Sequence, residues 1–316
     1  MRLMLAYDGS ACADAARDLV SRLPLPVGSA IALVTALERG PQLFGAPDFA
    51  IVPHDAEEAE GLLLADLQEM LHAAAEPLLT SDRHVDTRVI RGRPASAIVD
   101  EAAAVAPDLL VVGSRGHGPL ASVVMGSVSA EVVDHAPCPV LVARHPSVSR
   151  LVIGADGSES ADRALALLRR WPIFAGHPAT VVTVGDAGSA PGRAGTAMYP
   201  AWVDRHALDD ERRARLAEIA ERGAAELSRA GLSATVELRD GDPADQLIRA
   251  AAAVGADLIV VGSRGLSTLP RLLLGSVARK VLLHAPQSVL VVREARERTR
   301  AEEPQRVPIG AVMAMA

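Results

Sequence analysis

Residues 92–144 read GRPASAIVDEAAAVAPDLLVVGSRGHGPLASVVMGSVSAEVVDHAPCPVLVAR, and residues 241–293 read GDPADQLIRAAAAVGADLIVVGSRGLSTLPRLLLGSVARKVLLHAPQSVLVVR. The two align without a gap at an offset of 149, with 27 of 53 positions identical. The openings repeat as well: LMLAYDGSACADAARDLV from Leu3 matches LVIGADGSESADRALALL from Leu151 at an offset of 148. A period this long belongs to a duplicated domain, not to a solenoid. The reading places one domain at 1–145, a joint near Pro146 to Arg150, a second domain at 150–293, and a tail at 294–316. Nothing in the repeat matches the tail, which is expected to be disordered up to at least Arg306.

Each copy alternates short apolar runs with longer amphipathic ones. In copy one the pattern predicts strands at Leu3–Tyr7, Ile31–Leu37, Val85–Arg91, Leu109–Gly113 and Val140–Ala143. It predicts helices at Asp14–Arg22, Glu57–Ala75, Ala95–Val105 and Ser127–His135, and copy two repeats the order. Strands that are near-continuous Val, Ile and Leu runs, separated by helices, mean a parallel sheet covered on both faces. The expected fold is α/β: two tandem doubly wound five-stranded parallel sheets of flavodoxin-like or related type. Ligands of such sheets bind beyond the carboxyl ends of the strands, where strand order reverses. The residues after strands one and four are therefore the ones to inspect.

Composition narrows the chemistry. The formal net charge is −7, which gives no general attraction to nucleic acid or anionic lipid. Only seven residues are aromatic, too few for the usual single-strand stacking platforms. Of 32 basic residues one alone is lysine, Lys280, and its neighbours Arg279 and Val281 exclude a Walker-type loop. No apolar run approaches the roughly 20 residues of a membrane span. The run after Arg2 is too short for a signal-peptide core, so the chain is expected in the cytoplasm. Cys12 and Cys138 lack metal spacing and read as reduced core or helix residues.

After strand four, copy one has Gly113-Ser114-Arg115-Gly116, nine residues, then Gly126-Ser127; copy two has Gly262-Ser263-Arg264-Gly265, nine residues, then Gly275-Ser276. This G-x2-G-x9-G-S spacing suits anion binding. Glycines let backbone amides approach phosphate, and Gly-Ser opens a helix whose unpaired amides and positive dipole end face the same point. After strand one stand Asp8-Gly9-Ser10 and Asp156-Gly157-Ser158. They read either as a turn with a helix N-cap or as a carboxylate aimed at a ribose hydroxyl or adenine amine.

With these motifs in place the chain resembles a tandem universal stress protein of the ATP-binding branch. The glycine-serine pattern, the Asp after strand one and the endings HAPCPVLV and HAPQSVLV carry that resemblance. It implies an adenine nucleotide α-hydrolase-like fold with strand order 3-2-1-4-5. It also implies nucleotide contacts. Asp8 and Asp156 would hold the ribose and adenine side, and backbone groups at Ala36 and Val184 would meet adenine. Val112 with Gly113, and Val261 with Gly262, would border the ribose. Gly116, Gly126, Ser127 and Val128, and likewise Gly265, Gly275, Ser276 and Val277, would cradle phosphates. Ala36 departs from the family's usual Val and loses apolar contact with the base. The loop Leu266–Arg271 keeps a basic residue that His117–Ser122 lacks, which favours copy two as the tighter site.

Other residues are weighed beside these. His117 in the presumed phosphate loop has Leu266 as its counterpart, so a phosphate or acid-base role is not shared. His135 and His284 recur at helix ends, where a cation or donor suits the dipole. Arg115 and Arg264 could pair with phosphate or with an acidic neighbour. Asp55, Glu57, Glu58 and Glu60 open a helix and complement its dipole. Mg²⁺ could arrive with ATP, since phosphates and water often hold it. Arg39–His54 and Asp186–Trp202 are Gly-, Pro- and Ala-rich and read as loops beside the adenine pocket.

The expected function is ATP-binding regulation in stress response, with little or no catalysis and an unidentified regulatory protein as partner. Family members pair through their last strand. The Val140–Ala143 and Val289–Val292 strands would therefore form a pseudo-dimer inside one chain, with a homodimer as a further step. The rival reading is a nucleotide-hydrolysing or adenylyl-transferring enzyme. Against it, no repeated His, Glu or Lys stands where attacking water needs a base. A third reading is a structural duplication to which ATP is incidental.

Overall fold

The computed structural model describes residues 1–38, 56–116, 125–185, 205–265 and 274–293, without the side chains of 56–59 and 205–208. The expectations for Arg39–His54, His117–Ser122, Asp186–Trp202, Leu266–Arg271, Asp55 and the tail lie outside these residues, as do the side chains of Glu57 and Glu58.

The first half runs β1 (Arg2–Ala6), α1 (Ala11–Arg22), β2 (Ser29–Leu37), α2 (Ala56–Ala75), β3 (Arg83–Arg91), α3 (Pro94–Val105), β4 (Leu109–Gly113), α4 (Ser127–His135) and β5 (Val140–Ala143). The second repeats it as β6 (Leu151–Gly154), α5 (Glu159–Arg170), β7 (Pro178–Gly185), α6 (Arg205–Arg229), β8 (Ser233–Asp240), α7 (Pro243–Val254), β9 (Leu258–Gly262), α8 (Ser276–His284) and β10 (Ser288–Val292). Strand order is β3-β2-β1-β4-β5-β10-β9-β6-β7-β8. Each half alone reads 3-2-1-4-5 in its own numbering. The expected α/β class and strand order are those observed, with the two five-stranded parallel sheets joined into one sheet of ten strands.

The joint is the single antiparallel pairing in that ladder: β5 meets β10 with Leu141 opposite Leu290. All other strand pairs are parallel. The central strands are buried on both sides because their side chains alternate between two cores. Leu3, Leu5, Leu109, Val111 and Leu141 pack on the face of α1 and α2. Met4, Leu110, Val112, Val140 and Val142 pack on the face of α3 and α4. Both clusters continue into the second half through Leu151 and Ile153 on one face and Val289 and Val291 on the other. Each such Leu or Val contributes on the order of 1.5–3 kcal/mol through burial.

Helix ends follow local chemistry. Ser10 and Ser158 cap α1 and α5 by accepting from the amides of Ala13 and Ala161, both at 3.2 Å. Asp242 caps α7 from Asp245 N–H at 3.0 Å. At its other end α7 stops on Gly255 at φ +64, where a left-handed residue is required. Ala106 fills the equivalent place after α3 at φ +46 and is the one non-glycine residue with positive φ among those described. No described helix is long and apolar enough to cross a membrane.

Candidate functional site

At the carboxyl ends of β1, β2 and β4 a cleft of about 670 Å³ opens in the first half. All eight first-half residues expected to hold nucleotide line it: Asp8, Ala36, Val112, Gly113, Gly116, Gly126, Ser127 and Val128. Its size falls within the usual range for small-molecule sites.

The D-G-S turn sets Asp8. Gly9 takes φ +78, which only glycine adopts readily, and Asp8 Oδ1 accepts from Ser10 N–H at 3.0 Å. Oδ2 turns toward the glycine loop, where a Cβ on Gly116 would stand 2.5 Å from it. The second half is built alike: Asp156 Oδ1 accepts from Ser158 N–H at 2.9 Å, and a Cβ on Gly265 would lie 3.0 Å from Asp156 Oδ2. The N-cap belongs to Ser10 and Ser158, and each Asp organises the turn while facing its glycine loop.

Gly113 and Gly262 are needed for close packing. A Cβ on Gly113 would meet Cys12 C at 2.8 Å, and one on Gly262 would meet Ser160 C at 2.7 Å. The loops close back on themselves: Gly126 N–H donates to Ser114 O, and Gly275 N–H to Ser263 O, both at 2.8 Å. Gly126 and Gly275 are then the N-caps of α4 and α8, and neither helix has a side-chain cap. The first intrahelical bonds come from Ala130 and Arg279 to the cap carbonyls. The amides of Ser127, Val128 and Ser129, and of Ser276, Val277 and Ala278, therefore make no intrahelical bond. A helix with a serine or aspartate cap spends part of this donor set internally; these two leave it to whatever lies in front.

Thr35, Pro94, Ile98 and Met125 also line the cleft and were not singled out in the sequence. Pro94, Ile98 and Met125 supply apolar wall and Thr35 a buried hydroxyl, and their types are those of ordinary core residues. Arg115 lines the cleft too, and its carbonyl accepts from Ser10 Oγ at 3.2 Å. Tyr7 lines the floor and donates to Asp14 Oδ1 at 2.7 Å. Burial, then that bond, pushes the Tyr7 hydroxyl up to about 12, so it keeps its proton at neutral pH.

Several expectations receive different partners. His135 and His284 are exposed at the ends of α4 and α8. The carbonyls there are taken by arginines: Arg144 Nη2 donates to Leu282 O at 2.6 Å and Arg293 Nη1 to Val133 O at 2.5 Å. Glu60 pairs with Arg91 on β3 rather than serving the dipole of α2 alone. Cys138 is buried, and burial pushes its thiol up to about 12. The described residues contain no His, Cys, Asp and Glu cluster able to hold a metal ion.

The universal stress protein family model matches residues 1–144 and again 148–293. The chain belongs to the universal stress protein family, carrying two of its domains in tandem. A universal stress protein of Thermus aquaticus is 37% identical over 143 residues, covering 45% of this chain and 97% of that protein. One from Mycobacterium bovis is 31% identical over 201 residues, covering 60% of this chain and 62% of that protein. The match thus spans less than two thirds of the mycobacterial relative. A universal stress protein from Archaeoglobus fulgidus has the same fold at TM-score 0.58 and 18% identity, over 92% of this chain and 98% of that one. A structure from Pseudomonas aeruginosa, titled a putative universal stress protein, superposes at TM-score 0.56 and 16% identity, over 93% of each chain. Family membership supports a stress-response role.

Proposed function

We propose that the chain is an ATP-binding regulator of the stress response that holds nucleotide in both repeats and catalyses little or nothing. The observation that carries this reading is the convergence of eight residues from three strand ends and one helix start on a single cleft. An acidic turn faces a glycine loop there, and three helix-start amides make no intrahelical bond. Asp8 and Asp156 take the ribose and adenine side, with Ala36 and Val184 offering backbone to the base. Gly113, Gly116, Gly126, Ser127 and Val128, with Gly262, Gly265, Gly275, Ser276 and Val277, border ribose and phosphates. Magnesium would enter with the phosphates, held mainly by them and by water.

The described titratable side chains lining the cleft are Tyr7, Asp8 and Arg115. Tyr7 is too weak an acid to serve as a base at neutral pH. Differential affinity of ATP for two states of the surrounding surface would be the regulatory output, read by a protein partner in the cytoplasm.

The test is direct. Protein purified without added nucleotide is analysed by mass spectrometry for a bound adenine compound, then titrated with ATP by calorimetry and assayed for turnover. Two binding events with negligible hydrolysis are expected. Absence of any affinity, or turnover at ordinary enzyme rates, would overturn the proposal.

A further inference from the structure

Behind each glycine loop lies a half-buried arginine that bridges the two repeats. Ser114 N–H donates to Ala143 O at 3.1 Å, and Ser263 N–H donates to Val292 O at 2.8 Å. The next residues are Arg144 and Arg293, equivalent positions of the repeat. Arg144 reaches over the β5–β10 joint to Gln287 O at 3.0 Å and Leu282 O at 2.6 Å, and Arg293 returns to Val133 O at 2.5 Å. The two acceptors at helix ends are left over for a covalent reason. Four residues on from Val133 and Leu282 stand Pro137 and Pro286, which have no N–H to donate.

The two cations are unequally compensated. Arg144 has no carboxylate partner among the described residues, and its buried Nε has no hydrogen-bond partner. Burial, then the neighbouring Arg115, pulls Arg144 down to about 10. Arg293 is also lowered by burial, but the nearby Asp134 carboxylate opposes that shift while Arg264 adds to it. So each glycine loop has its own arginine and a second, half-buried one beneath it. A largely desolvated charge with little or no counter-charge, as at Arg144 above all, is costly, and an anion brought close relieves it.

We infer that Arg144 and Arg293 are positioning residues that make the two clefts prefer polyphosphate over neutral ligands and that tie phosphate occupancy to the joint between repeats. This rests on the nucleotide reading above. Each arginine acts through the loop in front of it and is fixed by the other repeat's helix. Phosphate therefore strengthens the joint, and weakening the joint weakens phosphate binding, by linkage.

The experiment titrates the full chain and its R144Q, R144K and R293Q variants with ATP and with adenosine. R144Q is expected to weaken ATP at one of the two sites by roughly 5- to 20-fold, within the usual span of coupling. Adenosine affinity is expected to stay within about 2-fold, because the molecule carries no phosphate to sense the charge. R293Q is expected to do the same at the other site, and R144K, which keeps the charge, to retain the preference for ATP. Equal losses for ATP and adenosine, or R144K behaving like R144Q, would reduce the arginines to structural fasteners and overturn the inference. Should R144Q fail to fold, R293Q decides at the other site: a loss of ATP affinity with adenosine unchanged supports the inference, and an unchanged preference overturns it. An unmodified chain that binds neither ligand refutes the nucleotide reading itself; one that binds both, with the preference intact in R144Q and R293Q, refutes only the role of the arginines.

Discussion

Arg144 and Arg293 occupy equivalent places in the two repeats, and each closes the last helix of the other, Arg144 at Leu282 and Arg293 at Val133. The exchange is reciprocal, as an isologous contact between two copies of one surface requires. Arg293→Ala should therefore destabilise the whole chain, because it strands a helix-end carbonyl that Pro137 cannot serve. A loss of about 1–3 kcal/mol is expected from a broken charged hydrogen bond and an unpaired acceptor. Arg279→Ala, which breaks only the half-exposed pair with Asp134, should cost about 1 kcal/mol or less. Urea unfolding of the two variants measures the difference, and equal effects would mean that the carbonyl contact adds nothing.

Ser127 and Ser276 are exposed first residues of α4 and α8. A glutamate there suits the positive end of the helix and should leave thermal stability unchanged or slightly raised, by about 0.3–1 kcal/mol. The same carboxylate would occupy the proposed phosphate position. Ser276→Glu should remove one of two ATP sites, and Ser127→Glu the other, as read by calorimetric stoichiometry. Undiminished two-site binding in either variant would place the nucleotide elsewhere.

The repeat contains its own control for backbone strain. Ala106 and Gly255 end α3 and α7 in the left-handed region, at φ +46 and φ +64. Arg2 holds the Ala106 turn by donating to Ala106 O at 2.7 Å and Val105 O at 3.2 Å. Ala106→Gly should stabilise the chain by about 1 kcal/mol, since an L-residue pays roughly that in this region. A lower urea midpoint would show that flexibility gained in the unfolded chain outweighs the relief.

Tyr7 gives a pH test. Its hydroxyl is raised from 10.0 to about 12, chiefly by burial, so the folded chain holds a proton that the unfolded chain releases earlier. The stabilisation is complete below pH 10 and is lost as pH rises toward 12. Tyr7→Phe should remove that portion of the alkaline decline, and the difference between the two urea-midpoint curves between pH 9 and 12 isolates it from other groups. Parallel curves would contradict the assignment.

The fold was legible in the sequence wherever strands are buried on both faces. β4 and α4 fall on the expected residues because Leu109–Gly113 is a continuous apolar run and Gly126-Ser127 marks a helix start. Edge strands were read short: β3 begins at Arg83 and β8 at Ser233, polar starts that escape the apolar pattern. The candidate site was legible where geometry demands a residue type: a positive φ at Gly9, a close approach at Gly113 and a turn-holding carboxylate at Asp8. Its walls were not, because Ile98 and Met125 carry no signal beyond hydrophobicity. The joint arginines were equally silent, since their role depends on prolines far away in sequence and on which strand meets β5.

The antiparallel pairing of β5 with β10 inverts one repeat relative to the other. Strand ends that point one way in the first half point the opposite way in the second, so the proposed nucleotide positions lie on opposite rims of one sheet. A flat docking protein resting on either rim would meet one of these proposed positions and never both. On the proposed reading, duplication gives two separate outlets, each able to diverge toward its own listener, as Ala36 and Val184 already differ at matching places.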